Sequence, residues 1–156
     1  MVIILDNIRS TYNVGSIFRT ADGVGVEKIY LYGITPAPLD RFEKIRQNIA
    51  KVSLGAEKTV PWEKIGSASR LIDKLKKDGC KILAVEQSRK SVPYYKSNVK
   101  SQLSKVALIF GNEVSGISKP LLKKADKIIE IPMRGAKESL NVSVAAGIIL
   151  FRMRYS

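Results

Sequence analysis

Three short stretches set glycines beside polar and charged side chains at spacings that could seat a ligand and act on it. In Asn13-Val-Gly-Ser-Ile-Phe-Arg-Thr-Ala21, Gly15 and Arg19 stand one helical turn apart, on the rim away from the apolar face. A position without a side chain one turn below an arginine leaves room for a bulky anion; the plain reading is a solvated arginine on an amphipathic helix. In Gly111-Asn-Glu-Val-Ser-Gly116 two glycines bracket a loop that follows an apolar run. The spacing resembles a phosphate-binding G-x-x-x-x-G loop, but Ile117 stands where that loop needs its lysine, and Glu113 repels phosphate. A ligand without phosphates, or with a positive charge, fits better; the plain reading is a tight turn before a helix. In Ile131-Pro-Met-Arg-Gly-Ala-Lys-Glu-Ser-Leu-Asn141, Pro132 and Gly135 shape a loop, while Ser139 and Asn141 bring polar groups to a helix start. Capping by Ser139, with Asn141 exposed, is the plain reading there.

The absent residue types narrow the chemistry further. The chain has no histidine, which removes Ser-His-Asp and Cys-His arrangements and the commonest zinc ligand. Cys80 is the single cysteine, so no intramolecular disulfide can form, a thiolate metal site is excluded, and no metal is expected. Catalysis must rest on Arg, Lys, carboxylates, hydroxyls, backbone amides or a cofactor.

The elements that must carry these loops alternate between short apolar runs and helical patterns, which predicts an α/β domain with a mostly parallel sheet. Val2 to Leu5 reads as a first buried strand. Asn13 is a candidate N-cap for a helix to about Val24, with Val14, Ile17, Phe18, Ala21 and Val24 on one face. Lys28 to Tyr32 is a second strand, and Asp40 to Ala50 has moderate helical character. Lys58 to Trp62 is a candidate short strand, and Ser67 to Lys77 a basic amphipathic helix. Lys81 to Glu86 and Val106 to Phe110 are central strands, with a polar loop containing Tyr94 and Tyr95 between them. Ser118 is a candidate cap for a helix with Pro120 in its first turn, where a missing N–H does no harm. Lys127 to Ile131 is the last strand, and Ser139 caps a final helix to about Met153. That helix is apolar nearly all round, as suits burial on more than one side, in a core or in a dimer.

With 156 residues, 45% of them hydrophobic, the chain is expected to fold as one domain. Its 27 basic and 14 acidic residues leave a net charge of +13, which favours a polyanionic partner. Asp6 and Arg9 interrupt the opening apolar run, so no signal peptide is expected. The stretch from Val142 to Phe151 is too short to span a bilayer, and a cytoplasmic protein is expected.

Taken in order, the three stretches resemble the motifs of the SpoU (TrmH-type) RNA ribose methyltransferases of the SPOUT superfamily. The matching patterns are N-x-G-x-x-x-R-T-A from Asn13, F-G-N-E-x-x-G from Phe110 and I-P-M-x-G-x-x-x-S-L-N-V-S-V-A from Ile131. The resemblance covers essentially the whole chain. It implies helices on both faces of the sheet, a C-terminal trefoil knot, and a homodimer through the last helix. It also implies S-adenosylmethionine as cofactor, held largely by backbone atoms at Gly111, Ile131, Met133, Ser139 and Leu140, with Val85 as an addition.

Arg19 matches the family's catalytic arginine, and Asn13, Glu113, Ser139 and Asn141 match its other polar active-site positions. The implied substrate is structured RNA. Arg41, Lys44, Arg46, Arg134 and Lys137 are candidates for phosphate contacts. No added substrate-binding domain is expected, and on that expectation tRNA is favoured over rRNA. A ribose methyltransferase is the expected activity; a base methyltransferase of the same superfamily, and a non-catalytic RNA-binding module of the same fold, are the alternatives.

Overall fold

Ile3, Ile4, Leu5 and Asp6 are successive and all fully buried, so the first strand is covered on both faces, as a central strand of a parallel sheet must be. This strand, β1 (Val2–Asp6), pairs with β2 (Lys28–Tyr32) on one side and with β6 (Val106–Gly111) on the other. The remaining strands are β3 (Trp62–Ile65), β4 (Lys81–Val85), β5 (Val92–Pro93) and β7 (Lys127–Glu130). They complete a seven-stranded sheet in the order β3-β2-β1-β6-β4-β7-β5, with every pairing parallel. The computed structural model describes residues 1–98 and 105–155.

Helices cover both faces, as expected. On one face α1 (Thr11–Val24), α2 (Gln47–Ser53), α3 (Ala56–Thr59) and α6 (Val142–Arg154) bury Ile17, Phe18, Ile49, Ala56, Ile149 and Leu150 against Ile3, Leu5, Leu108 and Phe110. On the other, α4 (Ala68–Lys77) and α5 (Lys119–Lys124) bury Ala68, Ile72 and Leu121 against Ile4, Ile82, Ala84 and Ile109. The alternation of Ile3 and Leu5 against Ile4 on β1 is the period-two signature of a strand dividing two cores. The strand order is consistent with the C-terminal threading that the resemblance implies.

Several expected boundaries move. The N-cap of α1 is Ser10, whose hydroxyl accepts from the Asn13 N–H; Asn13 lies inside the helix and is buried. The final helix is capped by Asn141, whose side-chain oxygen accepts from Ser143 and Val144, so Ser139 stays in the preceding loop. The strand expected at 58 to 62 begins only at Trp62. Residues 58 to 61 end α3 and lead through Pro61 into β3, because Ala56 and Val60 are drawn into the core beneath α1. A five-residue window cannot separate a helical turn from a strand by period alone. The helix expected from Asp40 begins only at Gln47, since the Asp40 carboxylate bonds the N–H groups of Phe42 and Lys44 and holds a turn instead. Helix α6 buries Ala146, Ile149, Leu150 and Met153 but leaves Val144, Phe151 and the following Tyr155 exposed within one chain.

Candidate functional site

Because the strands run parallel, their carboxyl ends share one edge, where ligands of open α/β sheets sit. There the ends of β4, β6 and β7 and the start of α6 enclose a cavity of about 420 Å³. Val85 ends β4 and Glu86 follows it, Gly111 ends β6 and Glu113 lies in the loop after it, and Ile131 and Met133 follow β7. Ser139, Leu140 and Asn141 close it from the loop before α6. All six residues expected to hold a cofactor therefore line one cavity.

The loop after β6 is shaped by backbone contact. Asn112 and Gly116 exchange backbone hydrogen bonds of 3.0 and 2.9 Å, folding the loop back on itself. A Cβ at Gly111 would lie 2.3 Å from the Ile117 nitrogen and 2.4 Å from the Gly116 carbonyl carbon, so only glycine permits this fold. Carboxylates then pin the far end: Glu86 Oε2 accepts from the Ile117 N–H at 2.9 Å, and Asp6 Oδ2 from the Ser118 N–H at 2.7 Å.

A second polar network joins all three stretches. Glu113 accepts from the backbone N–H groups of Arg9 and Ser10, each at 3.1 Å, and from Asn13 Nδ2 at 2.9 Å. Asn13 Oδ1 in turn accepts from Asn141 Nδ2 at 3.1 Å. Each amide has one consistent orientation. The Asn141 oxygen caps α6, so its NH2 must point at Asn13, and the Asn13 NH2 must face the carboxylate, which only accepts. Partial desolvation pushes the Glu113 carboxyl up, but the bonds from Asn13, Arg9 and Ser10 outweigh it and hold it below the ordinary glutamate value.

Arg19 stands apart from this network. It is exposed on α1, about 9 Å further along the axis than Asn13 at 1.5 Å per residue, and it is not among the cavity-lining residues. Among the described residues nothing pairs with its guanidinium. Gly15 leaves no room for an anion. A Cβ there would meet the Ile49 carbonyl oxygen at 2.8 Å and the Val52 Cβ at 2.9 Å, so the glycine allows α1 and α2 to approach closely. Arg41, Lys44, Arg46, Arg134 and Lys137 are all exposed. The sequence reading missed Asp6, Glu86 and Glu130. All three are acidic residues at or just past the carboxyl end of a strand, and that position was the available signal.

The sequence profile described as the SpoU rRNA Methylase family matches residues 1–151. The chain belongs to that family. Among SpoU relatives, the 23S rRNA (guanosine-2'-O-)-methyltransferase RlmB of Neisseria meningitidis is 33% identical over 154 residues, covering 99% of this chain and 58% of that protein. The chain thus spans a little over half the length of such a relative. The TrmH/SpoU tRNA modifying enzyme of A. aeolicus superposes with a TM-score of 0.84 at 33% identity, covering 98% of this chain and 73% of that one. The AdoMet-bound rRNA methyltransferase from Sinorhizobium meliloti superposes with a TM-score of 0.86 at 29% identity, covering 98% and 55%. Among the described residues, no helix is long and apolar enough to cross a membrane.

Proposed function

We propose that the chain transfers a methyl group from S-adenosylmethionine to a ribose 2′-hydroxyl of structured RNA, with tRNA the favoured class. The observation that carries this reading is an acidic cavity in a strongly basic protein. Glu86, Glu113 and Glu130 all line it, although the chain has a net charge of +13. Such a site suits a cationic ligand and disfavours a nucleotide phosphate. Its volume lies within the range of small-molecule sites, and the apolar Val85, Ile131, Met133 and Leu140 suit an uncharged base and sugar. The S. meliloti neighbour, solved with AdoMet, supports the same ligand.

The bound donor supplies a methyl group on a positively charged sulfur. The chain's own residues do the rest. Gly111 and the loop to Gly116 form one wall; Glu113, Asn13 and Asn141 hold that wall against the start of α6; Ser139 and Asn141 offer polar groups to the ribose or the donor's carboxylate. Arg19 serves by holding an RNA phosphate and stabilising negative charge on the ribose oxygen as the hydroxyl proton passes to solvent. Arg41, Lys44, Arg46, Arg134 and Lys137 supply phosphate contacts. The exposed Val144, Phe151 and Tyr155 support a homodimer through α6.

The test is incubation of the protein with radiolabelled S-adenosylmethionine and either total tRNA or rRNA, followed by nucleoside analysis. A labelled 2′-O-methylnucleoside from tRNA is expected. Both classes belong in the assay, because the Neisseria relative is an rRNA enzyme and the A. aeolicus neighbour a tRNA enzyme. Label on a base overturns the ribose assignment, and no label from a folded protein that binds the donor overturns the substrate.

A further inference from the structure

The loop between β2 and α2 displays an aromatic ring that the core does not use. Leu39 and Ile45 form an antiparallel bridge, and the Asp40 N–H donates to the Lys44 carbonyl at 2.9 Å. Asp40 Oδ1 accepts from the N–H groups of Phe42 at 2.8 Å and Lys44 at 3.0 Å, and Glu43 closes the turn with a φ of 61°. Phe42, at the tip of this cross-braced turn, is 66% exposed. The Arg41 guanidinium lies over its ring, 4.7 Å from the centroid, which covers one face and leaves the other open.

Scattered exposed apolar residues need no explanation. This one differs because it is held on a stiffened turn and flanked by Arg41, Lys44 and Arg46, all exposed. The turn also grows from the same sheet edge as the cavity. Asn7 Oδ1 accepts from the Ile34 N–H at 3.0 Å, and the Asn7 carbonyl accepts from Asn112 Nδ2 at 2.7 Å, so a single residue ties the root of the turn to the cavity wall. A π-face backed by a guanidinium, on a turn that also carries Lys44 and Arg46, is complementary to a nucleobase flanked by phosphates.

We propose that Phe42 stacks on an unpaired base of the substrate RNA, with Arg41 against its far face, so that the enzyme selects a single-stranded loop or bulge over a continuous duplex. This rests on the RNA reading above. Double-stranded RNA offers no open base to stack on, whereas splayed bases in loops do.

The experiment measures binding of the full chain to a fluorescently labelled RNA stem-loop and to a blunt RNA duplex of equal phosphate count, each over a range of salt. Phe42→Ala is expected to weaken stem-loop binding by about 5- to 150-fold, the scale of one base–aromatic stack, and to leave duplex binding unchanged. Its plot of log affinity against log salt should shift without changing slope, while Arg41→Ala should reduce the slope by about one. Phe42→Trp should restore binding, and its added emission should be quenched by the stem-loop and not by the duplex. Stem-loop binding unaltered in Phe42→Ala, or lost equally for both RNAs, overturns the stacking role while leaving the RNA reading intact. A parent protein that binds neither RNA overturns both, and points to a protein partner for the exposed ring.

Discussion

Replacing Asn13 by alanine should separate the three stretches that the site brings together. The substitution removes a bond to a carboxylate and a bond between amides, Asn13 to Glu113 at 2.9 Å and Asn141 to Asn13 at 3.1 Å. Typical net values are about 1.5–3 kcal/mol for the first and about 0.5–1.5 for the second. Glu113 and Asn141 both reach solvent and can recover water as a partner, so the lower end applies, about 2 kcal/mol in total. For a domain of this size that is a fall of about 4–8 °C in Tm, read by calorimetry or circular dichroism. Because Glu113 and Asn141 line the cavity, S-adenosylmethionine affinity should fall as well, by about tenfold for each 1.4 kcal/mol of lost order. Asn13→Asp makes the sharper contrast. It sets a second carboxylate beside Glu113, so this variant should gain stability as pH falls from neutrality and one proton is shared. A Tm for Asn13→Ala within about 1 °C of the parent, with donor affinity unchanged, would refute the idea that this amide holds the site together.

Three further outcomes follow from the geometry. Arg19→Ala should cut turnover by a hundredfold or more, on the order of losing one charge-stabilising group, while calorimetric binding of S-adenosylmethionine stays unchanged because Arg19 lies outside the cavity. Gly15→Ala should destabilise by about 1–3 kcal/mol through overpacking, seen as a lower urea midpoint, because the Ile49 carbonyl oxygen stands 2.8 Å from the new methyl group. Glu113 has a folded value below its ordinary 4.5, so its contribution to stability is full above that pH and is lost as pH falls through the lower folded value. Glu113→Gln should therefore flatten the acid limb of the stability profile below about pH 4.5, and an acid limb identical to the parent's would contradict the network.

Much of this architecture is legible in the chain because the central strands β1, β4 and β6 are runs that must be buried on both faces, while β2 shows the alternation of a strand with one face better covered than the other. Where the sequence reading slipped, tertiary contacts overrode local signals. Asn13 has the chemistry of an N-cap, but Ser10 takes the cap and releases Asn13 to bridge Glu113 and Asn141, residues 100 and 128 positions away. Ser139 loses the cap of α6 to Asn141 for a similar reason, since only Asn141 can cap with its oxygen and donate with its nitrogen. Gly15 looks like a ligand position until α2, thirty-odd residues later, packs across it. Local pattern carries no information about which helix will arrive there. The cavity residues were found through the motifs, whereas Asp6, Glu86 and Glu130 carried only the weaker signal of acidity at a strand end.

The strand order also constrains when the protein can acquire its site during synthesis. β1 is made before the strands it pairs with, yet one of its edges stays open until β6 pairs Val2 with Ala107, and α1 waits for α6 to cover it. β4 likewise waits for both β6 and β7. Such distant pairings make closure of the sheet a late and slow event. A nascent chain released before residue 142 would have its first strands and helices but no capped α6, and so no rear wall for the cavity. Binding competence therefore emerges only once α6 has been made.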